Sequence, residues 1–192
     1  MKPFDGLVAI LESFPGVGRR TAERFAWQIL FMPDKQARSL SEQIAVLRAL
    51  MKPCGVCGAY DAQSPCAICS DTRRDRGLLC LVEHPGAVTL LERTGRFKGL
   101  YHVMRTPPRG SEKETLRFKP LLQRIEAGGF REILVATNAT AEGEALAARI
   151  ARLLSPLGLK LTRIGMGLPA GGEIEYGEEA TLSRAIKGRV PL

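Results

Sequence analysis

Four of the five cysteines fall within one short segment, as Cys54-x2-Cys57-x8-Cys66-x2-Cys69. Two thiolate pairs, each with two residues between, can close a tetrahedron around Zn²⁺ at about 2.3 Å per bond. Gly55, Gly58 and Pro65 permit the tight turns this needs. Four thiolates leave no open position for water, so the expected role of the metal is structural. Its binding free energy, on the order of 10 kcal/mol, would fold a segment with almost no core of its own. Two redox CxxC pairs or an iron–sulfur site would use the same residue types, but the spacing favours zinc. A disulfide framework would spread its cysteines over distant loops. Cys80 stands apart in an apolar run and reads as a core residue.

A second chemistry is phosphate binding. Phe14-Pro15-Gly16-Val17-Gly18 is followed by Arg19, Arg20 and Arg24, with apolar helical faces on both sides. The segment resembles a helix–hairpin–helix, whose glycines let backbone N–H groups approach a phosphate. Such contacts carry no base information, so binding independent of sequence is expected. Basic charge is also concentrated between Arg93 and Arg131, with ten Lys and Arg against three Glu. Arg105, Arg109 and Lys113 lie there in a Pro-containing stretch and offer further phosphate contacts. A polyanion fits this distribution through counterion release, although charge alone also describes a solvated face.

The third set is acidic: Leu81-Val82-Glu83, then Ala136-Thr137-Asn138-Ala139-Thr140-Ala141-Glu142-Gly143-Glu144-Ala145. It resembles the Toprim domain of topoisomerases and primases, where a Glu ends the first strand and a DxDxEGE-like element follows a later one. In that domain the acids hold Mg²⁺. Here Glu83, Glu142 and Glu144 match, and Asn138 and Thr140 stand at the two aspartate positions. Mg²⁺ seeks anionic oxygens, so the loss of two carboxylates points to a Toprim that does not catalyse. Glu83 and Glu142 could still hold a metal weakly, or simply cap or pair with arginines. No tyrosine sits where a nucleophile is needed. Gly165-Met166-Gly167-Leu168-Pro169-Ala170-Gly171-Gly172 has no following Gly-Lys-Ser/Thr and is not a phosphate-binding P-loop. His84 and His102, the two histidines, have no adjacent catalytic cysteine.

The elements that must position these groups follow from periodicity. Residues 4–14, 19–31 and 40–51 carry helical apolar spacing, the last opened by Ser39 or Ser41 as a cap. Apolar runs at 78–82, 100–104, 133–136 and 160–164 read as strands, alternating with helices at 86–94, 116–126 and 142–154. The 116–126 helix is expected to break near Pro120, and residues 105–117 to form a flexible loop. A last helix covers 178–186. The expected order is a helix–hairpin–helix module (1–53), a four-cysteine zinc finger (54–72) and a Toprim-like α/β domain with a mainly parallel sheet (73–168). A C-terminal segment with a Gly-rich turn and a helix (169–192) closes the chain. At 192 residues and net charge +8, one medium domain or two to three small modules suit the length. No apolar run is long enough for a membrane helix, and the N-terminus lacks a secretory pattern. A cytosolic protein with reduced thiols and no membrane partner is expected.

Together these motifs, in this order, resemble the RecR family of bacterial recombination mediators. Val82-Glu83-His84-Pro85-Gly86, Gly99-Leu100-Tyr101-His102-Val103 and Gly167-Leu168-Pro169-Ala170-Gly171-Gly172-Glu173-Ile174-Glu175-Tyr176 add to the match, which spans nearly the whole chain. The resemblance implies a homo-oligomer, dimer to tetramer ring, that encircles single- or double-stranded DNA. It implies a cytoplasmic, nucleoid-associated protein working with RecO and RecF to load RecA on single strands. The family's DNA-binding hairpin positions carry over to Arg20 and Arg24. A metal-dependent Toprim nuclease or topoisomerase-like enzyme is the alternative, and a protein-binding scaffold a third reading. One stretch departs from the family: after His102-Val103 a longer Gly-rich segment is usual, whereas here Met104 to Phe118 is shorter and basic.

Overall fold

The computed structural model describes residues 2–106, 115–169 and 171–189. Its chain divides into two compact units, Met1–Leu50 and Met51–Leu192. Arg109 and Lys113 lie outside the described residues.

The first unit is helical: α1 (Lys2–Glu12), α2 (Arg19–Phe31) and α3 (Asp34–Leu50). Val8, Ala22 and Ala26 are buried between α1 and α2, and Phe4, Leu7, Leu11 and Val17 pack around them. Small residues on α2 let the two helices approach closely. The third helix starts six residues earlier than its apolar spacing indicates. Pro33 sets it off, its C=O accepting the N–H groups of Gln36 and Ala37, and Asp34 suits the first turn. Ser39 and Ser41 are therefore interior, not caps; the Ser41 hydroxyl donates back to Arg38 O at 2.8 Å.

The second unit is built on a four-stranded parallel sheet, β3 (Asp75–Val82), β4 (Gly99–Val103), β7 (Glu132–Ala136) and β8 (Lys160–Arg163), in the order β4-β3-β7-β8. Alternation along β3 divides the core. Leu79 and Leu81 face a layer made by α6 (Phe118–Gly128) and α7 (Ala141–Leu154). Cys80 and Val82 face the opposite layer, with α5 (Pro85–Arg93) and the four clustered cysteines. Both faces are covered, which is why the strands read as continuous apolar runs. Each fully buried Leu or Val contributes roughly 1.5–3 kcal/mol.

The remaining elements are short. β1 (Lys52–Pro53) and β2 (Tyr60–Asp61) pair antiparallel across the first cysteine turn, and α4 (Ala67–Ser70) follows the second. β5 (Arg105–Thr106) pairs antiparallel with β6 (Thr115–Leu116) at the two ends of the stretch expected as a flexible loop, whose residues 107–114 lie outside the described residues. Backbone bonds anchor the base of this pair, from Arg105 N–H to Glu83 O (2.7 Å) and Arg117 N–H to Met104 O (2.9 Å). The α6 helix runs uninterrupted through Pro120, which sits in its first turn where no N–H partner is needed. The last helix is α8 (Glu179–Lys187).

Because β3 is followed by β4 on one side and the chain then crosses to β7 on the other, the strand order reverses beside β3. The carboxyl ends of β3 and β7 flank the place where open α/β sheets bind ligands. Glu83 follows β3, and Thr137 to Glu144 follow β7.

Candidate metal centre and nucleic-acid interface

The sulfurs of Cys54, Cys57, Cys66 and Cys69 all lie within 4.8 Å of one another, and the four residues are buried. Tetrahedral bonds of about 2.3 Å place sulfurs roughly 3.8 Å apart, and Cys57 Sγ to Cys66 Sγ is 3.5 Å. Two of the sulfurs also accept backbone N–H groups, Cys54 Sγ from Cys66 (3.3 Å) and Cys57 Sγ from Ala59 (3.4 Å). Such bonds stabilise thiolate. Burial pushes the Cys54 thiol up, but the surrounding N–H groups, Cys57 and Cys66 foremost, more than reverse this and hold it at about 6. The neighbouring Cys69 side chain and burial push Cys57 up, and burial takes Cys66 to about 11. One thiolate is thus favoured at Cys54, and a divalent cation would stabilise the rest. Asp61 fixes the second turn, accepting from Ala67 N–H at 2.8 Å and from Gln63 N–H at 3.3 Å. The first turn joins the sheet, since Val103 N–H donates to Cys57 O at 2.8 Å. Cys80 is fully buried, and burial raises its thiol to about 12, so it is an inert core residue as expected.

At the carboxyl ends of the strands, the acids are engaged with protein groups. Glu83 is 5% exposed; its Oε1 accepts Asn138 N–H at 2.6 Å, and its Oε2 lies 3.6 Å from Arg105 Nε. Glu144 is held by Arg163 through bonds of 2.6 and 3.0 Å, with Arg184 at 3.8 Å. Arg163, its first partner, is the largest cause holding the Glu144 carboxyl below its usual range. Glu142 is exposed in the first turn of α7. Thr140, at a position where the Toprim pattern has an acid, caps α7 instead, its Oγ accepting Gly143 N–H at 3.2 Å. Gly143 is required by contact: a Cβ there would sit 2.2 Å from Asn138 O and 2.8 Å from Glu83 Oε1. Among the described residues, the cysteine set is the one group of three or more ligating side chains close enough to share an ion. Sequence reasoning missed Arg163 and Arg184 as partners of Glu144. They lie far along the chain, and no local spacing connects them.

In the helical unit, Phe14 to Val17 form the hairpin turn. Val17 N–H donates to Phe14 O at 3.0 Å, and Gly16 has φ +77°, with Pro15 before it as a type II turn favours. Gly18 caps α2 without a side chain, and Thr21 N–H bonds back to Gly18 O at 3.0 Å, which leaves the amides of Arg19 and Arg20 open to an anion. Of the three predicted arginines, Arg19 is tied to Glu23 (2.9 Å) and lies 3.9 Å from Glu12. Arg20 and Arg24 are exposed, and no acid among the described residues pairs with either. Arg105, predicted as a phosphate contact, is turned toward Glu83 and its side chain is 25% exposed.

Three parts of the chain match known domain families: residues 4–47 the RecR helix-hairpin-helix, residues 51–71 the RecR four-cysteine zinc finger domain, and residues 77–165 the Toprim domain. Recombination protein RecR of Pelotomaculum thermopropionicum is 44% identical over 191 residues, covering 98% of this chain and 96% of the relative. The chain belongs to the RecR family. Recombination protein RecR of Moorella thermoacetica is 41% identical and that of Heliobacterium modesticaldum 42% identical, each over 194 residues covering all of this chain and 98% of the relative. The family's zinc finger and the geometry of the four sulfurs agree, and the cysteines form a structural zinc site. No helix among the described residues is long and apolar enough to cross a membrane.

Proposed function

We propose that the chain is a non-enzymatic mediator of recombinational DNA repair that binds single- and double-stranded DNA without regard to sequence. Family membership supports the repair role. The observation that carries the DNA-binding reading is the pair of exposed arginines, Arg20 and Arg24, one helical turn apart beside the open N-terminus of α2. Phosphates meet both the amides and the guanidiniums there. Zinc is structural, through Cys54, Cys57, Cys66 and Cys69. Of the acidic set, Glu83 supports the backbone after β7 and Glu144 balances Arg163, so neither presents a free carboxylate to Mg²⁺. Arg109 and Lys113 supply further phosphate contacts.

In this reading the protein acts in the bacterial cytoplasm, on the nucleoid, with RecO and RecF as partners, and helps load RecA on single strands. It works as a homo-oligomer, dimer to tetramer ring. Support for assembly comes from α3, which buries no side chain within its unit and exposes Leu40, Ile44 and Leu47 at 41%, 54% and 61%. These three recur at helical spacing and form an apolar stripe.

The test pairs two assays. Charge reversal of Arg20 and Arg24 together removes DNA binding while the circular dichroism spectrum is kept; unchanged affinity sinks the reading. The zinc-loaded protein, incubated with supercoiled plasmid and Mg²⁺ or Mn²⁺, yields no nicked product. Cleavage that disappears in Glu83→Ala would instead identify a metal-dependent enzyme.

A further inference from the structure

We propose that Trp27 is a stacking platform for a base of single-stranded DNA, next to phosphates held by Arg20 and Arg24. The proposal rests on the DNA-binding reading above and adds what the hairpin alone does not supply, a preference for single strands. Trp27 is the one tryptophan of the chain and is 41% exposed. It lines a recess of about 480 Å³ with Arg20, Thr21, Glu23 and Arg24. Positions 20, 24, 27 and 31 share one face of α2. That face runs from two cations near the hairpin to two stacked rings. Phe31 lies 5.6 Å from Trp27 at an interplanar angle of 16°, and is itself 76% exposed. Phe4 of α1 leans on Trp27 at 4.6 Å and props the indole in place. Glu23 is the single acid of the recess, and Arg19 neutralises it at 2.9 Å.

An aromatic surface in water beside uncompensated guanidiniums is the combination that single-strand grooves use. Every base has a π-face, and the backbone supplies the charge. A duplex keeps its base faces stacked internally and offers the indole nothing comparable. A second copy of this chain docking the same recess would bring like charges together across an isologous contact.

The single tryptophan makes the test direct. Full-length, zinc-loaded protein is titrated with oligo-dT, with an abasic oligonucleotide of the same length, and with duplex, while indole emission and fluorescence anisotropy of labelled DNA are read together. Oligo-dT quenches Trp27; the abasic strand binds without quenching. Trp27→Ala weakens oligo-dT binding by about tenfold to hundredfold, the range of one lost base–aromatic stack, and leaves duplex affinity unchanged. Trp27→Phe restores part of the loss, and the unchanged duplex affinity of Trp27→Ala, which a folding defect of α2 would lower, sets base stacking apart from a structural role. If oligo-dT binds with emission unchanged and Trp27→Ala binds it as tightly as the parent, the stacking inference fails while the DNA-binding reading stands. If the parent protein binds none of the three, the underlying reading itself has failed. A shift in emission with protein concentration alone, without DNA, would mean that a second copy covers the ring, and would also overturn the proposal.

Discussion

Removing the Glu83 carboxylate separates a structural acid from a metal ligand. Glu83 is buried, it accepts the Asn138 N–H at 2.6 Å, and Arg105 lies 3.6 Å from its other oxygen. A hydrogen bond to a charged acceptor contributes about 1.5–3 kcal/mol. The Arg105 contact is long and its cation partly solvated, so it adds little. Glu83→Ala should therefore destabilise the second unit by about 2 kcal/mol, which lowers its melting temperature by about 4–8 °C for a unit of this size. Glu83→Gln keeps an acceptor for Asn138 and loses only the charge assistance, so its cost should be about half as large. The assay is thermal or urea unfolding of zinc-loaded protein, with and without millimolar Mg²⁺. An ion bound to the native state alone would raise stability with concentration. The structure predicts that Mg²⁺ stabilises the parent no more than Glu83→Ala. A Glu83→Ala variant as stable as the parent without Mg²⁺, together with Mg²⁺ stabilising the parent alone, would refute a structural role for this acid.

Other outcomes follow from the same geometry. Gly143→Ala should destabilise by about 1–3 kcal/mol despite alanine's better helix propensity, because its methyl meets backbone at Asn138 O; Gly6→Ala in α1, where the added methyl meets nothing within 4 Å, should stabilise by about 0.5–1 kcal/mol, and urea midpoints give both signs. His102 is fully buried, and burial together with Arg117 and Arg124 lowers its pKa to about 3. The folded value lies below the unfolded value near 6.5, so the stability it secures is complete above 6.5 and is lost as pH falls toward 3. The slope is about 1.4 kcal/mol per pH unit, and His102→Gln should lose less stability than the parent between about pH 7 and pH 5. Zinc analysis should return one ion per chain, and Cys66→Ser should lose it together with the near-UV signal of Tyr101, which packs in the same core cluster.

The zinc site is legible because metal ligation is written in local spacing, and the parallel sheet because strands buried on both faces must be apolar throughout. What cannot be read lies in long-range or weakly patterned segments. The start of α3 at Asp34 carries polar residues with no apolar period. The two-residue strands at Arg105 and Thr115 are too short to show alternation. Glu83 stands out as an acid of the Toprim pattern, but its partner is a backbone N–H 55 positions away. Arg19 looks equivalent to Arg20 and Arg24, yet Glu23 one turn later, visible as an i, i+4 pair, takes it up. Trp27 carries no local mark of its exposure; its offset of two helical turns from Arg20 is the available signal.

The proposed DNA binding rests most on Arg20 and Arg24 as phosphate contacts of α2. The dependence of DNA affinity on salt tests this directly, comparing the parent with Arg20→Ala/Arg24→Ala. Each phosphate neutralised contributes about 0.9 to the slope of log K against log salt on duplex and about 0.7 on single strands. The double variant should therefore lose about 1.8 on duplex and about 1.4 on single strands. A slope equal to that of the parent on both substrates would contradict the account.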